Sequence, residues 1–271
     1  HFDAGEALGL IEAERCTVFY GTPNMTLALV EHPDCAGRDL SSLRTGATLG
    51  SPEQIRRLVD LGASEICQVY GLTETYGNCA LNDAHDSVLR RTESIGKPLP
   101  GNDIVIADMA TGQLLPQGET GEIRLKGYVT PGYYKDPEKT AEAFDEEGYF
   151  CTGDLGFYDA EGYLYFRGRT KEMIKTGGIN VSPAEIEEAL IGHSAVELAY
   201  VVGLKDARRD EIVAAVIVAR EEIEAEELLA LCRETLAAYK VPRRLKFVTH
   251  ADLPLTSTGK LQKNRLKELF E

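Results

Sequence analysis

The chain has 271 residues, 43% hydrophobic and 27% charged, which suits a soluble globular protein of one large domain or two smaller ones. A net charge of −15 argues against a nucleic-acid partner, since no basic field would offset phosphate repulsion, although a small anion held by a few local groups is not excluded. The longest apolar run, Ile212 to Ala219, is far too short to span a membrane, and its β-branched content predicts a buried strand instead.

In chain order, DAGEALGLIEAERC has helical spacing behind an Asp cap, and TVFY predicts a short strand. PNMTLALVEH starts a helix with Pro in its first turn, and SPEQIRRLVDLGA has a Ser cap and a closing Gly. EICQVYG then predicts a buried strand running into a turn. Helices alternating with single strands imply an α/β layer with ligands at the carboxyl ends of its strands. From about Ser94 the texture changes. NDIVIAD, GEIRLKG, EGYFCTGD and GYLYFRGR predict short strands between Gly and Pro turns, forming a small barrel or an antiparallel sheet. After Arg169 a capped helix (VSPAEIEEALIGH), two strands (VELAYVVGL, EIVAAVIVA) and two further helices (EAEELLALCRETLAA, LQKNRLKELF) predict a compact α+β unit.

The expected fold is therefore mixed α/β and α+β. A partial α/β large domain (residues 1–93) carries a small β-barrel-like subdomain (94–169), and a compact α+β C-terminal domain follows (170–271). The six cysteines, Cys16, Cys35, Cys67, Cys79, Cys151 and Cys232, show neither a Cys-x-x-Cys pair nor a histidine pattern. Reduced thiols in a cytoplasmic protein are expected, without zinc or a disulfide framework. The opening HFDAGEALGL has no initiator Met and no signal-peptide pattern, and it enters an amphipathic helix at once. A fragment is expected.

Four stretches bear chemistry-capable side chains. In QVYGLTETYG, Tyr70 offers a flat face to a base and Gly71 a close backbone approach. Thr73 offers a hydroxyl, and Glu74 a carboxylate for a hard cation such as Mg²⁺. A polar loop with a capping Thr would look the same. In CTGDLG, Asp154 could accept both hydroxyls of a ribose or simply bond its own turn. In GRTKEMIKTGGINVSPAEIE, Arg169 and Lys171 lie on a short connection. Gly177 and Gly178 would admit a thin ligand, or only make a turn. PLTSTGK puts Lys260 after a glycine. A phosphate-cradling P-loop is excluded there, because Pro254 stands where Gly is needed and Leu261 where a hydroxyl is needed.

YGLTE, GEIRLKGYVTPGYYKDPEKT, CTGDLG, GRTKEMIKTGGINVSPAEIE and PLTSTGK, in that order, resemble the adenylate-forming superfamily. That superfamily includes acyl-CoA synthetases, nonribosomal adenylation domains and luciferases, and the resemblance covers essentially the whole chain. It implies nucleotide contacts from Gly46, Ala47, Thr48, Gln68, Val69, Tyr70, Gly71, Thr73, Asp154, Arg169 and Lys260. Gln68 to Tyr70 would border the adenine, Thr73 would touch the α-phosphate, and Asp154 and Arg169 would bind the ribose. Glu74 would help hold Mg²⁺, Lys171 would be the hinge of a mobile C-terminal domain, and Gly177 and Gly178 would line the CoA pantetheine channel. Lys260 would be the catalytic lysine of adenylation, acting with Thr73 and Glu74.

The sequence also departs from the family pattern. TGATLG (45–50) replaces the usual Gly-Gly-x-Pro-Leu, and Cys151 stands where Arg is common. The family's Ser/Thr/Gly-rich loop, which grips the β- and γ-phosphates, does not occur in these residues. The resemblance thus implies the C-terminal portion of an ATP-dependent acyl-CoA ligase taking a small carboxylic acid, ATP and CoA, itself inactive in adenylation. A stand-alone enzyme loading a carrier protein, or a non-catalytic nucleotide- or CoA-binding fragment, fits the same motifs. Homo-oligomerisation and the acyl substrate stay open.

Overall fold

The computed structural model describes residues 2–255 and 261–271. It divides into two compact units, 1–166 and 167–271, each with its own core.

The first unit opens with helix α1 (Ala4–Ala13), whose Asp3 cap accepts the Glu6 N–H at 2.8 Å. Strand β1 (Val18–Gly21) and helix α2 (Pro23–Val30), with Pro at its first position, follow. Strand β2 (Thr45–Thr48) lies in a stretch with no strand signal, being TGAT, and pairs in parallel with both β1 and β3 (Glu65–Leu72). Between them runs α3 (Pro52–Asp60), closed by a full Ser51–Gln54 capping box. Strands β4 (Gly77–Leu81) and β5 (Lys97–Pro98), on either side of α4 (Val88–Glu93), complete a five-stranded sheet in the order β1-β2-β3-β4-β5.

Gly46 explains how β1 and β2 come together. It has φ +145°, and a Cβ there would lie 1.8 Å from the Phe19 carbonyl oxygen. The core beneath the sheet is built from Leu8, Leu29, Ile55, Leu58 and Ile66. Arg91, on α4 and only 3% exposed, fixes the start of β3. Its guanidinium donates to the carbonyls of Ile66 (2.6 Å), Ser64 (2.7 Å) and Asp86 (2.9 Å), so each of its three nitrogens makes a hydrogen bond.

Strands β6 (Asp103–Ala107), β7 (Gly121–Lys126), β8 (Phe150–Tyr158) and β9 (Leu164–Arg169) form a second sheet in that order, with α5 (Pro137–Glu142) between β7 and β8. The β-rich stretch thus takes the open-sheet form and no barrel closes. Its period-2 burial on β7, with Gly121, Ile123 and Leu125 inward, matches a sheet with one covered face.

The second unit contains β10 (Ile174–Thr176), β11 (Ile179–Val181), α6 (Pro183–Ile191), β12 (Val196–Asp206), β13 (Asp210–Ala219), α7 (Ala225–Thr235) and β14 (Arg244–Phe247). The sheet order is β11-β10-β13-β12, with β14 parallel to β13 on the other side. The apolar run Ile212–Ala219 lies in β13, where Val213 to Val218 are all buried. Lys263–Phe270, expected as a helix, is a run of 3₁₀ turns that buries Leu266 and Phe270.

Candidate active site

In the first unit, the carboxyl ends of β1, β2 and β3 carry Gly21, Thr48 and Leu72, and the motif residues gather there. Thr48 is buried and its hydroxyl donates to the Gly21 carbonyl at 3.0 Å, closing the β1–β2 edge. Gln68 is 7% exposed. Its Nε2 donates to the Gly50 carbonyl at 3.0 Å, while its buried Oε1 has no hydrogen-bond partner among the described residues. Such an acceptor has unmet capacity for a donor. Val69 and Ala47 are buried on the same two strands.

Tyr70 differs from its expectation as an open ring face. It is 8% exposed, and its hydroxyl donates to Asp154 Oδ2 at 2.8 Å across 84 positions of sequence. Burial, then the nearby Asp154 charge, pushes the phenol far above its ordinary range, so it remains a donor at every physiological pH. Asp154 itself is 1% exposed. The Thr-Gly-Asp stretch, expected as a turn, lies inside β8. Gly153 has φ +69° beside a register irregularity between β7 and β8. A glycine-dependent bulge of this kind re-aims the side chain that follows it.

The loop after β3 is a 3₁₀ turn, Thr73–Thr75, ending in left-handed Tyr76 (φ 56°). Sequence reasoning missed its main fastening, Thr75. That hydroxyl is buried, accepts the Leu72 N–H at 2.9 Å and lies 2.6 Å from the Gly77 carbonyl oxygen. A Thr three places after a strand-end Leu, inside a polar run, was the available signal. With Thr75 holding the turn, Thr73 is left exposed and Glu74 half-buried. Glu74 accepts the Tyr133 hydroxyl at 2.9 Å, and its carbonyl accepts the Thr130 N–H at 2.7 Å.

Gly71 has a backbone reason of its own. A Cβ there would sit 1.9 Å from the Gly77 carbonyl oxygen, at the irregularity where β3 passes β4. Gly71→Ala is expected to destabilise the protein by about 1–3 kcal/mol through overpacking, read as a lowered thermal midpoint. An unchanged midpoint would show that the two strands can part without cost.

Among the described residues there is no cluster of three His, Cys, Asp or Glu side chains able to cage a metal. Mg²⁺ usually takes one or two protein carboxylates and completes its shell with water and substrate phosphates. Glu74, anionic and at the lip of a loop, fits that partial role. A shallow cavity of about 340 Å³, lined by Leu125, Val129, Thr130, Pro131 and Phe144 among others, lies beside this loop, since Thr130 bonds Glu74.

In the second unit, Arg169 ends β9 and Lys171 is exposed in the 3₁₀ turn Thr170–Glu172. Gly177 (φ 58°) and Gly178 (φ 81°) are the two-residue turn of the β10–β11 hairpin, with open space around both. Their positive φ values alone require glycine there, and their exposure leaves the backbone open to a ligand. Lys260 lies outside the described residues. The stretch that contains it is bracketed by the Leu255–Leu261 bridge and by the Gln262 N–H, which donates to the Pro254 carbonyl at 2.8 Å.

Sequence comparison adds the relatives. The family model for AMP-binding enzymes matches residues 1–134, and that for the AMP-binding enzyme C-terminal domain matches 185–260. Medium-chain acyl-CoA ligase ACSF2, mitochondrial, of Danio rerio is 39% identical over 277 residues, covering 100% of this chain and 45% of that protein. Amide bond synthetase McbA from Marinactinospora thermotolerans superimposes with a TM-score of 0.89 at 33% identity, over 100% of this chain and 55% of the other. o-Succinylbenzoate CoA synthetase (MenE) from Bacillus subtilis, in complex with the acyl-adenylate intermediate OSB-AMP, gives 0.83 at 31% identity, over 98% and 54%. The chain spans about half the length of the relatives it matches.

Proposed function

The chain belongs to the AMP-binding, adenylate-forming enzyme family, and from that premise we propose that the protein is an ATP-dependent acyl-CoA ligase. It activates a carboxylic acid as acyl-AMP with release of pyrophosphate, then passes the acyl group to the CoA thiol. The observation that carries this reading is the coupling of Tyr70 to Asp154 beside the exposed Thr73–Glu74 turn. It unites two distant motifs in a rigid, hydrogen-bonded frame at the strand ends.

In this reading Gln68 Oε1 accepts from the adenine edge, and Gly46 to Thr48 form the neighbouring wall. Thr73 donates to the α-phosphate, and Asp154, oriented by Tyr70, orders the ribose together with Arg169. Mg²⁺ at Glu74, when bound, offsets charge on the triphosphate. Residues 170–271 act as the mobile domain, with Lys171 as its hinge and the Gly177–Gly178 turn as a lip for pantetheine. Lys260 bridges substrate carboxylate and phosphate oxygens during adenylation. CoA is favoured over an amine as acceptor because the acyl-CoA ligase relative is 39% identical to this chain, against 33% for the amide bond synthetase. No helix among the described residues is long and apolar enough to cross a membrane. The cysteines form no Cys-x-x-Cys pair, and a reducing compartment is proposed, cytoplasmic or, as in the relative's name, mitochondrial.

The test is carboxylate-dependent ATP–pyrophosphate exchange over a panel of fatty acids of graded length. The full-length protein is expected to support exchange. The 271 residues expressed alone are expected to give none, because the phosphate-gripping loop does not occur in them. Robust exchange by the 271 residues alone would overturn the assignment of that loop to other residues.

A further inference from the structure

Residues 130–140 grip the Glu74 turn at two points. The Thr130 N–H donates to the Glu74 carbonyl at 2.7 Å, and the Tyr133 hydroxyl donates to Glu74 Oε1 at 2.9 Å. Tyr133 is in turn fixed from its own side. Its N–H donates to Thr140 Oγ1 at 2.9 Å, its carbonyl accepts the Asp136 N–H at 3.2 Å, and the Lys139 ammonium sits 4.3 Å from its ring centroid. Thr140 Oγ1 also donates to the Asp136 carbonyl at 2.7 Å, closing the first turn of α5. The phenol is therefore held on a short, braced segment 59 positions away from the carboxylate it meets.

We infer that Tyr133 is a positioning residue for the Glu74 carboxylate, orienting it toward a divalent cation carried by the nucleotide. This inference rests on the proposed cation role of Glu74. A phenol donating to one carboxylate oxygen fixes the rotation of the whole group, which presents the second oxygen in one direction. It also prevents Glu74 from turning to the exposed Thr73 hydroxyl or to bulk water. Partners of this kind that orient a metal-binding carboxylate usually affect metal affinity as strongly as they affect rate. A mere structural clasp would use the same bonds but would leave metal affinity untouched.

The experiment is Mn²⁺ binding to the full-length protein in the presence of α,β-methylene ATP, followed by electron paramagnetic resonance, with thermal midpoints measured alongside. Tyr133→Phe is expected to raise the Mn²⁺ dissociation constant roughly tenfold, with Glu74→Gln raising it further. Thr140→Val, which removes the acceptor for the Tyr133 N–H, is expected to move affinity in the same direction by a smaller factor and serves if Tyr133→Phe folds poorly. If Glu74→Gln weakens Mn²⁺ while folded Tyr133→Phe and Thr140→Val bind it normally, the positioning role is overturned and the cation site stands. If Glu74→Gln also binds Mn²⁺ normally, the proposed role of Glu74 falls and the inference falls with it.

Discussion

Lys260→Ala in the full-length protein is expected to slow acyl-adenylate formation by roughly 10²–10³, the loss seen when one preorganised donor is removed from developing charge. Supplied with preformed acyl-adenylate, the same variant should make thioester at nearly the wild-type rate. In the proposed mechanism the lysine would act on charge that exists only while the carboxylate attacks the α-phosphate. Lys171→Pro should show the opposite pattern. Lys171 is exposed in the Thr170–Glu172 turn, and proline would fix its φ near −65° and remove its N–H. Adenylation would survive if that pose stays accessible, and thioester formation would slow because rotation is hindered. Equal losses in both half-reactions for Lys260→Ala would mean that the lysine supports the fold or the nucleotide generally.

The largest expected effect on stability is at Lys263. Its ammonium lies 2.9 Å from Glu172 Oε2 and 3.0 Å from Glu187 Oε1, and Glu187 Oε1 also accepts the Val201 N–H at 2.8 Å. The cluster ties the turn after β9, helix α6 and the C-terminal 3₁₀ run within the second unit. Burial works against the Lys263 charge, but Glu187 and Glu172 outweigh it and hold the lysine above its ordinary value. Burial pushes Glu187 up, with Lys263 opposing. Lys263→Met would leave Glu187 as a buried carboxylate beside Glu172, at a cost of about 3 kcal/mol near neutral pH.

The sign of the pH dependence follows from Glu187. A carboxylate whose folded pKa is raised binds more protons in the folded state, so its stability contribution falls as pH rises above the unfolded value. Without Lys263 the elevation of Glu187 grows. The variant should therefore recover more stability than the wild-type chain as pH is lowered from neutrality toward the ordinary glutamate range. Lys263→Met combined with Glu187→Leu should restore much of the loss at neutral pH. Urea denaturation at several pH values checks both. A Lys263→Met loss that is independent of pH would point to packing rather than uncompensated charge.

The elements legible in the sequence were those with local causes. The Asp3 and Ser51 caps, Pro at the start of α2, and the apolar run 212–219 each appear as local pattern and are each realised as helix or strand, whereas the expected cap of α6 makes no side-chain bond at Ser182. Strand β2 was hidden because TGAT carries no alternation, and its pairing depends on Gly46 allowing Phe19 to approach. The final segment looked helical by its spacing, yet its apolar residues are satisfied by 3₁₀ turns over β12 and β13.

At the candidate site, residue types singled out the stretches but not the bonds between them. Nothing local joins Tyr70 to Asp154 or Tyr133 to Glu74, since those bonds span 84 and 59 positions and exist only once the sheets have formed. Four glycines carried a functional expectation while having a backbone reason of their own. Gly46 is required by the Phe19 carbonyl, Gly71 by the Gly77 carbonyl, and Gly177 and Gly178 by a hairpin turn with φ 58° and 81°.

The most direct measurement is the product balance of the full-length protein with ATP, Mg²⁺, CoA and a fatty acid accepted from the panel. The account predicts that AMP, pyrophosphate and acyl-CoA form in equal amounts, and that omitting CoA leaves acyl-AMP held on the protein after at most one turnover. ADP and phosphate as products, or AMP release that continues unchanged without CoA, would contradict it.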